Sequence, residues 1–439
     1  MTTETTTTTS AAPTPVAEKK KGDPFIWGIY IALILISIVE CFSASSQEIS
    51  GSGFAMYKPI LKHVMMLAVG FGLLYVIQNV DFKKFPRGIW LFMIITVVCM
   101  VIVATVGDYI NGAKRSFTLP LVGVSVQPAE MAKLSIVTLI ALFTARNQEV
   151  RGVNNRGVIL SALFVLLYCS FTFMQGLTNT ALLMGISFSM MLIGGVKWKK
   201  IFVVLICYAF AGGLFFIVKE LNESKEETFR TEMAQANGEV VEEEKSGRDA
   251  TWVMRVKRYF NSDSLVYQEM NSLNRQEMYS RIAQAHGGIV GVGLGGSREC
   301  SRLPLAFSDY IYSIIIEETG LVGGIIVLML YLLLLARAGM IANKCSRAFP
   351  ALLIMGVAVM ITLQALFHMG INTGLFPVSG QPLPLISMGG TSIIIMSVAF
   401  GVMLSVSKYA VQNNKPKEIK AEGLALPEGL DAPNPMKLD

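Results

Sequence analysis

Histidine is scarce in this 439-residue chain, and its three copies, His63, His286 and His368, lie far apart. No H-E-x-x-H or other helical histidine pair exists, which argues against a histidine-built zinc site. The six cysteines (Cys41, Cys99, Cys169, Cys207, Cys300, Cys345) show no C-x-x-C spacing. Four of them sit inside apolar runs and read as buried small hydrophobes rather than a disulfide framework. Charge is also sparse, at 15% of residues with 53% hydrophobic, where a soluble domain carries about 25% charged. So much apolar surface cannot be hidden in water-facing domains of ordinary size. A soluble enzyme, a disordered regulator and a fibrous protein are all excluded.

What the chain has instead is long apolar blocks. A bilayer core takes about 20 helical residues, and ten runs reach roughly that length. They are Pro24–Ala44, Pro59–Val80, Gly88–Val106, Pro128–Ala145, Gly157–Met174, Thr180–Val196, Ile201–Val218, Tyr310–Ala336, Ala348–Gly370 and Gly389–Ser407. The expected fold is all-α, a polytopic membrane protein of about ten transmembrane helices. The link Gln175–Asn179 is either a tight hairpin or a break inside one longer element. Lys and Arg cluster in alternate loops, at Lys19–Lys21, Lys83, Lys84 and Arg87, at Arg146, Arg151 and Arg156, at Lys197, Lys199 and Lys200, at Arg337, Lys344 and Arg347, and in Lys408–Lys420. By the positive-inside rule both termini are cytoplasmic. The net charge of +6 comes largely from these clusters, so nucleic acid is not the implied partner.

The organisation that follows is a disordered tail over 1–22, helices 1–7 over 23–219, a large outer loop over 220–308, helices 8–10 over 309–407 and a loose polar tail over 408–439. The outer loop has two characters. Its first part, 220–250, is acidic, with Glu242-Glu243-Glu244, and reads as a solvated insertion. Its second part, Thr251–Arg302, interleaves basic residues with Trp252, Tyr259, Phe260, Tyr267 and Tyr279 and ends in Gly287-Gly288, Gly291, Gly293 and Gly295-Gly296. Basic groups and exposed backbone N–H groups suit an anionic headgroup. A loop that merely touches lipid phosphates accounts for the same composition.

Ionisable groups inside a span are costly unless paired or in a wet cavity, which makes each a functional candidate. Glu130 and Lys133 open the fourth span three residues apart, on one helix face; an interfacial pair with Lys133 reaching outward is the plain alternative. Asp309 starts the eighth span, where it could serve simply as a helix cap. Glu317 and Glu318 lie two turns deeper and point to different surroundings. Gln364, His368 and Asn372 recur every four residues and make a polar stripe, which interhelical hydrogen bonding alone could explain. The segment Gly374–Ser392 is rich in Gly and Pro. Irregular backbone at membrane depth needs a protein cover or a wet cavity, so it is expected to be a re-entrant or packed outer loop.

At these segments the sequence resembles the SEDS family (shape, elongation, division and sporulation), the FtsW/RodA group of peptidoglycan polymerases, over about Pro24 to Ser407. Gln127-Pro128-Ala129-Glu130-Met131-Ala132-Lys133, with Gly112-Ala113-Lys114-Arg115 upstream, is similar to the family's Gln-Pro-Ser-Glu-x-Ala-Lys block. Gly287 to Ser297, Leu303-Pro304, and Asp309-Tyr310-Ile311-Tyr312 to Glu317-Glu318-x-Gly320 are similar to its large outer loop. Asn372-Thr373-Gly374-Leu375-x-Pro377, Pro382-Leu383-Pro384-x-Ile386-Ser387 and Gly389-Gly390-x-Ser392 are similar to its last outer loop. There are departures. The family's Pro-Glu-x-His-Thr-Asp-Phe reads Pro304-Leu305-Ala306-Phe307-Ser308-Asp309-Tyr310 here, so the glutamate and histidine are missing. The expected Pro-Asp-Leu-Gly-Thr is replaced by Gly176-Leu177-Thr178-Asn179-Thr180, Met388 stands where Tyr is usual, and His368 where Asn is usual.

The resemblance implies polymerisation of lipid II, an undecaprenyl-pyrophosphate-linked disaccharide peptide, on the periplasmic face of the bacterial inner membrane. Asp309 would be the catalytic base. The residues expected to bind substrate are Lys114, Arg115, Glu130, Lys133, Arg255, Arg275, Arg281, Glu317, Asn372, Ser387 and Ser392, with Arg258 a further cation. No cofactor is implied with certainty, and a divalent cation, Mg or Mn, could act through Asp309 or Glu317. The implied partners are a class B penicillin-binding protein and other membrane proteins of the division or elongation machinery; the Thr-rich N-terminus leans towards division. A lipid II flippase and a non-catalytic scaffold are the alternatives.

Overall fold

In the computed structural model the described residues are 21–47, 57–110, 113–118, 125–149, 152–208, 212, 270, 274–303, 306–409, 426–427 and 429–437. The chain is a helical membrane protein. Its helices are α1 (Pro24–Gln47), α2 (Tyr57–Ile77), α3 (Phe85–Val106), α4 (Pro128–Arg146), α5 (Asn155–Gln175), α6 (Leu177–Ile193), α7 (described over 198–208), α8 (Arg275–Gly287), α9 (Ala306–Asp309), α10 (Ile311–Lys344), α11 (Ala348–Asn372) and α12 (Gly390–Tyr409). Among the described residues eight stretches are long and apolar enough to cross a membrane, and α6 is a shorter apolar helix. The second half of the expected seventh span, the acidic stretch 220–250 and Arg255 lie outside the described residues. Two small antiparallel sheets sit in loops: β1 (Asp108–Ile110), β2 (Ala113–Thr118) and β3 (Ser125–Val126), and β4 (Gln148–Glu149) with β5 (Gly152–Val153).

These runs become helices because lipid offers no partner for a backbone N–H or C=O, so each must be satisfied within its own segment. Proline stands in the first turn of α1, α3 and α4, where a missing N–H costs nothing. Burial sorts the spans into layers. In α4 94% of the span is buried and in α11 83%, against 22% in the span containing α3. α4 and α11 are therefore the protein-facing centre, and α2 and α3 present Leu73, Val76, Leu91 and Ile95 outward, where lipid covers them.

The chain ends meet at one face. Asp23 N donates to Ser407 Oγ at 3.1 Å, and Arg337 grips the Asp23 carboxylate, Nη2 to Oδ2 at 2.6 Å. Lys408 Nζ reaches Asn79 Oδ1 at 2.7 Å. The C-terminal tail corrects the expectation of a loose segment. Leu426 and Leu430 are buried in the main core, and Asn434 Nδ2 donates to the carbonyls of Ala342 and Cys345 at 2.8 and 3.0 Å. Ala348 N also donates to Ala432 O at 3.0 Å. Composition alone hid this, because two leucines and one asparagine among prolines do the docking.

At the opposite end two irregular features are built from covered backbone. α10 is broken at Gly320, whose φ of 74° and ψ of −177° are non-helical. A side chain there would collide with Ile289 O, so glycine is required by both conformation and space. The break frees backbone groups that the glycine-rich loop takes up. Val292 N donates to Glu317 O at 3.0 Å, Gly293 N to Glu318 O at 2.9 Å, and Leu321 N to Gly288 O at 3.0 Å. The second feature is the Gly374–Gly389 segment between α11 and α12, packed as expected. Tyr331 OH donates to Pro384 O at 2.6 Å, Gln364 Nε2 to Pro382 O at 3.1 Å, and Ser37 Oγ to Ile386 O at 3.1 Å.

Candidate active site

Three polar side chains one helical turn apart on α11 organise this end. Gln364 holds Pro382 O as above. His368 Nδ1 lies 2.6 Å from Gln381 O. Asn372 Nδ2 donates to Asp309 O at 3.1 Å, while its Oδ1 accepts from Ser313 Oγ at 2.9 Å and Ser313 N at 3.3 Å. The stripe is thus the clamp that holds both the irregular segment and the aspartate. Interhelical hydrogen bonding is its role, directed at one place.

Asp309 ends the short helix α9, with only Tyr310 between it and the start of α10 at Ile311. Tyr310, rather than Asp309, takes the N-cap position of α10. Asp309 as a whole is half-buried. Ser308 Oγ donates to Oδ1 at 3.1 Å. Ser387 Oγ fixes the preceding carbonyl, Ser308 O, at 2.7 Å, and Met388 N donates to Phe307 O at 2.9 Å. Gly380 faces the other oxygen so closely that a Cβ there would lie 2.8 Å from Oδ2. Burial pushes the Asp309 carboxyl above the usual carboxylate range, and the Ser308 hydrogen bond and the Arg115 charge pull it partly back. Arg115 is steered by its Nε, which donates to Gln175 O at 3.1 Å. A carboxylate made more basic, at the rim of a span and beside a cation, can take a proton from a hydroxyl.

The remaining expected site residues fall into three places. Asn372, Ser387 and Arg115 gather around Asp309. Glu130, Lys133 and Ser392 lie in a sealed layer beneath it. Lys133 Nζ binds Glu130 Oε1 at 2.6 Å and Gln364 Oε1 at 2.7 Å, and Ser392 Oγ donates to Glu130 Oε2 at 3.3 Å. Lys133 is 1% exposed, so it does not reach outward to the interface; its partners consume its charge where it stands. The others lie on α8 and on the first turns of α10. Arg275 lies over the Tyr279 ring, and Arg281 Nη2 pairs with Glu277 Oε1 at 2.7 Å. Glu317 is consumed in anchoring the glycine-rich loop, accepting from Ser297 Oγ at 2.5 Å and Arg298 N at 3.0 Å. Glu318 turns the other way and accepts from Ser43 Oγ of α1 at 2.5 Å, as the angular offset of neighbours requires. The Lys114 side chain, Arg255 and Arg258 lie outside the described residues.

Sequence reasoning did not single out Gly380, Gln175 or Gln381, which line the cleft beside Asp309. Nothing in their spacing marks them; only the folded loop brings them there. Among the described residues no group of three or more His, Cys, Asp or Glu is gathered to hold a metal ion. An apolar groove of about 330 Å³ between Pro24, Phe25, Gly28, Ile29 and Leu330 lies at the end that carries the chain termini, away from Asp309.

Comparison with known proteins bears on the family and the fold. The FtsW/RodA/SpoVE family profile, described as a cell cycle protein, matches residues 24–247 and 248–412. A Bacillus subtilis protein named "Probable peptidoglycan glycosyltransferase FtsW" is 27% identical over 94% of this chain and 97% of its own length. The Haemophilus influenzae protein of the same name is 29% identical over 88% of this chain and 90% of its own. A solved structure reported as "Structural coordination of polymerization and crosslinking by a peptidoglycan synthase complex" aligns with a TM-score of 0.63 at 22% identity, covering 89% of this chain and 99% of that one. The crystal structure of Thermus thermophilus rod shape determining protein RodA aligns at 0.58 and 23% identity, covering 91% of this chain and 100% of that one. These two alignments speak for the fold.

Proposed function

This chain belongs to the FtsW/RodA/SpoVE family of cell cycle proteins, and from that premise we propose that it is a peptidoglycan glycosyltransferase that polymerises lipid II on the outer face of the inner membrane. The reading is carried by one observation: the Asp309 carboxylate, which burial makes more basic, stands at the edge of a span with the Arg115 charge opposing that rise.

In this reading Asp309 takes the proton of the acceptor GlcNAc 4-hydroxyl as that oxygen attacks the anomeric carbon of the donor. A carbon–oxygen bond forms on one face of the sugar while the bond to undecaprenyl pyrophosphate breaks on the other. The configuration inverts, and one base suffices. Asn372, Ser308 and Ser387 keep the carboxylate in place through the contacts described above. Arg115 offers charge to the departing pyrophosphate. A divalent cation, Mg or Mn, would be held through Asp309 with pyrophosphate oxygens and water; Glu317 has no share in it, because its oxygens already anchor the glycine-rich loop. The paired, sealed state of Glu130 and Lys133 removes the intramembrane charges that favoured a flippase.

In this reading the face that carries Asp23, Ser407 and Lys408 is cytoplasmic, which the Lys and Arg clusters of the sequence support. A transpeptidase that crosslinks the new strand, a class B penicillin-binding protein, is the expected partner, alongside other division or elongation membrane proteins. The test is the purified chain in vesicles or detergent with labelled lipid II, with and without that partner and with and without Mg or Mn. Polymeric glycan is expected. Transfer of headgroup across the vesicle membrane without polymer would overturn the reading.

A further inference from the structure

The cleft beside Asp309 is walled by three stretches distant in sequence: Arg115 of β2, the Gln175–Asn179 junction between α5 and α6, and Val378–Gln381. Its volume is about 20 Å³, room for one water-sized group. Two amides in its walls are buried, Gln175 at 3% and Gln381 at 2% exposure. The Oε1 atom of each accepts no hydrogen bond from the protein. Both residues are otherwise anchored, Gln381 by side chain and main chain and Gln175 by its main chain. Gln381 Nε2 donates to Asn179 Oδ1 at 2.7 Å, its carbonyl is held by His368, and the Gln175 carbonyl accepts from Arg115. The two residues thus stand at the wall of a cleft that Gly380 joins to the Asp309 carboxylate.

Buried acceptors call for donors. An ionised pyrophosphate brings acceptors and no donor, so it suits Arg115 and does not suit Gln175 or Gln381. A sugar brings hydroxyl and acetamido N–H donors on a compact ring. We propose that Gln175 and Gln381 form a saccharide subsite that receives one donor group, a hydroxyl or an acetamido N–H, of the lipid-linked sugar and so sets the reacting hydroxyl against Asp309. The inference rests on the glycosyltransferase reading and adds to it which part of the substrate is recognised and by which residues.

The experiment measures the Kd of two probes on the full-length, detergent-solubilised protein: lipid II, and undecaprenyl pyrophosphate, which has no sugar. The variants are Gln175→Met and Gln381→Met, near-isosteric changes that remove the amide and leave the main-chain carbonyls in place. Each is expected to weaken lipid II about 2- to 10-fold, the loss of one hydrogen bond, and to leave undecaprenyl pyrophosphate within about 2-fold. An analogue whose GlcNAc carries O-acetyl in place of the acetamido group separates the two donors. If the acetamido N–H is seated, wild type loses affinity for it and the variants lose no more; an unchanged response assigns a hydroxyl. Equal weakening of both probes, or of neither, would overturn the subsite. Failure of wild type to bind lipid II at all would instead strike the glycosyltransferase reading, so the two failures are told apart.

Discussion

The sealed ion pair on α4 gives a prediction that can be worked through in magnitude. Glu130 and Lys133 are 2% and 1% exposed and joined at 2.6 Å, and Gln364 and Ser392 complete the shell. Removing one partner, by Lys133→Met or Glu130→Leu, leaves an uncompensated charge with no water, which costs about 3–5 kcal/mol. Independent effects would sum to about 6–10 kcal/mol in the double variant. Replacing both by apolar groups of similar volume is often near neutral, so the double variant is expected to be more stable than either single one. The assay is SDS-induced unfolding in mixed micelles, read as a double-mutant cycle. Since Gln364 also holds Pro382 O, single variants should lose polymerase activity in step with their stability. Singles within about 1 kcal/mol of wild type, with an additive double, would refute the reasoning, because they would mean that water reaches the pair.

Three further predictions concern the surroundings of Asp309 and the docked tail. With the Asp309 carboxyl raised by burial, kcat/KM should fall on acidification at a midpoint above the ordinary value of about 3.9; Arg115→Met removes the opposing cation and should move that limb to higher pH, and a pH–rate profile that shifts downward or stays put would contradict it. Gly380→Ala puts a methyl 2.8 Å from Asp309 Oδ2 and should lower the polymerisation rate at least about 10-fold while the unfolding midpoint stays near wild type. Asn434→Ala strips two buried carbonyls of their donor and should cost about 1–3 kcal/mol in the same unfolding assay without changing the KM for lipid II.

Much of this molecule can be read from one sequence because a bilayer enforces a simple rule. Apolar runs of the right length become helices, and most described helices start and stop within a few residues of the runs that announce them, though α10 runs on past Ala336 to Lys344. Charge periodicity also reads well: Glu130 with Lys133, the divergence of Glu317 from Glu318, and the Gln364, His368 and Asn372 stripe all fall where helical spacing puts them. What spacing cannot give is the partner. Lys133 looks outward in a one-dimensional count and is sealed inward by Gln364, 231 residues away. Glu317 looks like a ligand and is spent on holding Ser297 and Arg298. Gln175 and Gln381 carry no motif, and they acquire meaning only because a bent junction and an irregular segment meet beside Asp309. The tail is opaque for the same reason: Leu430 and Asn434 have no periodicity, only a surface to fit.

The most direct measurement on the central claim is the single-turnover rate of glycan bond formation by Asp309→Asn, with lipid II bound at saturation. The substitution keeps the side chain's size and the Asn372 bond to the main-chain carbonyl but removes the base. The rate is expected to fall about 10²- to 10⁴-fold with lipid II affinity and unfolding midpoint little changed. A folded variant that polymerises at the wild-type rate would contradict the assignment of Asp309 as the base.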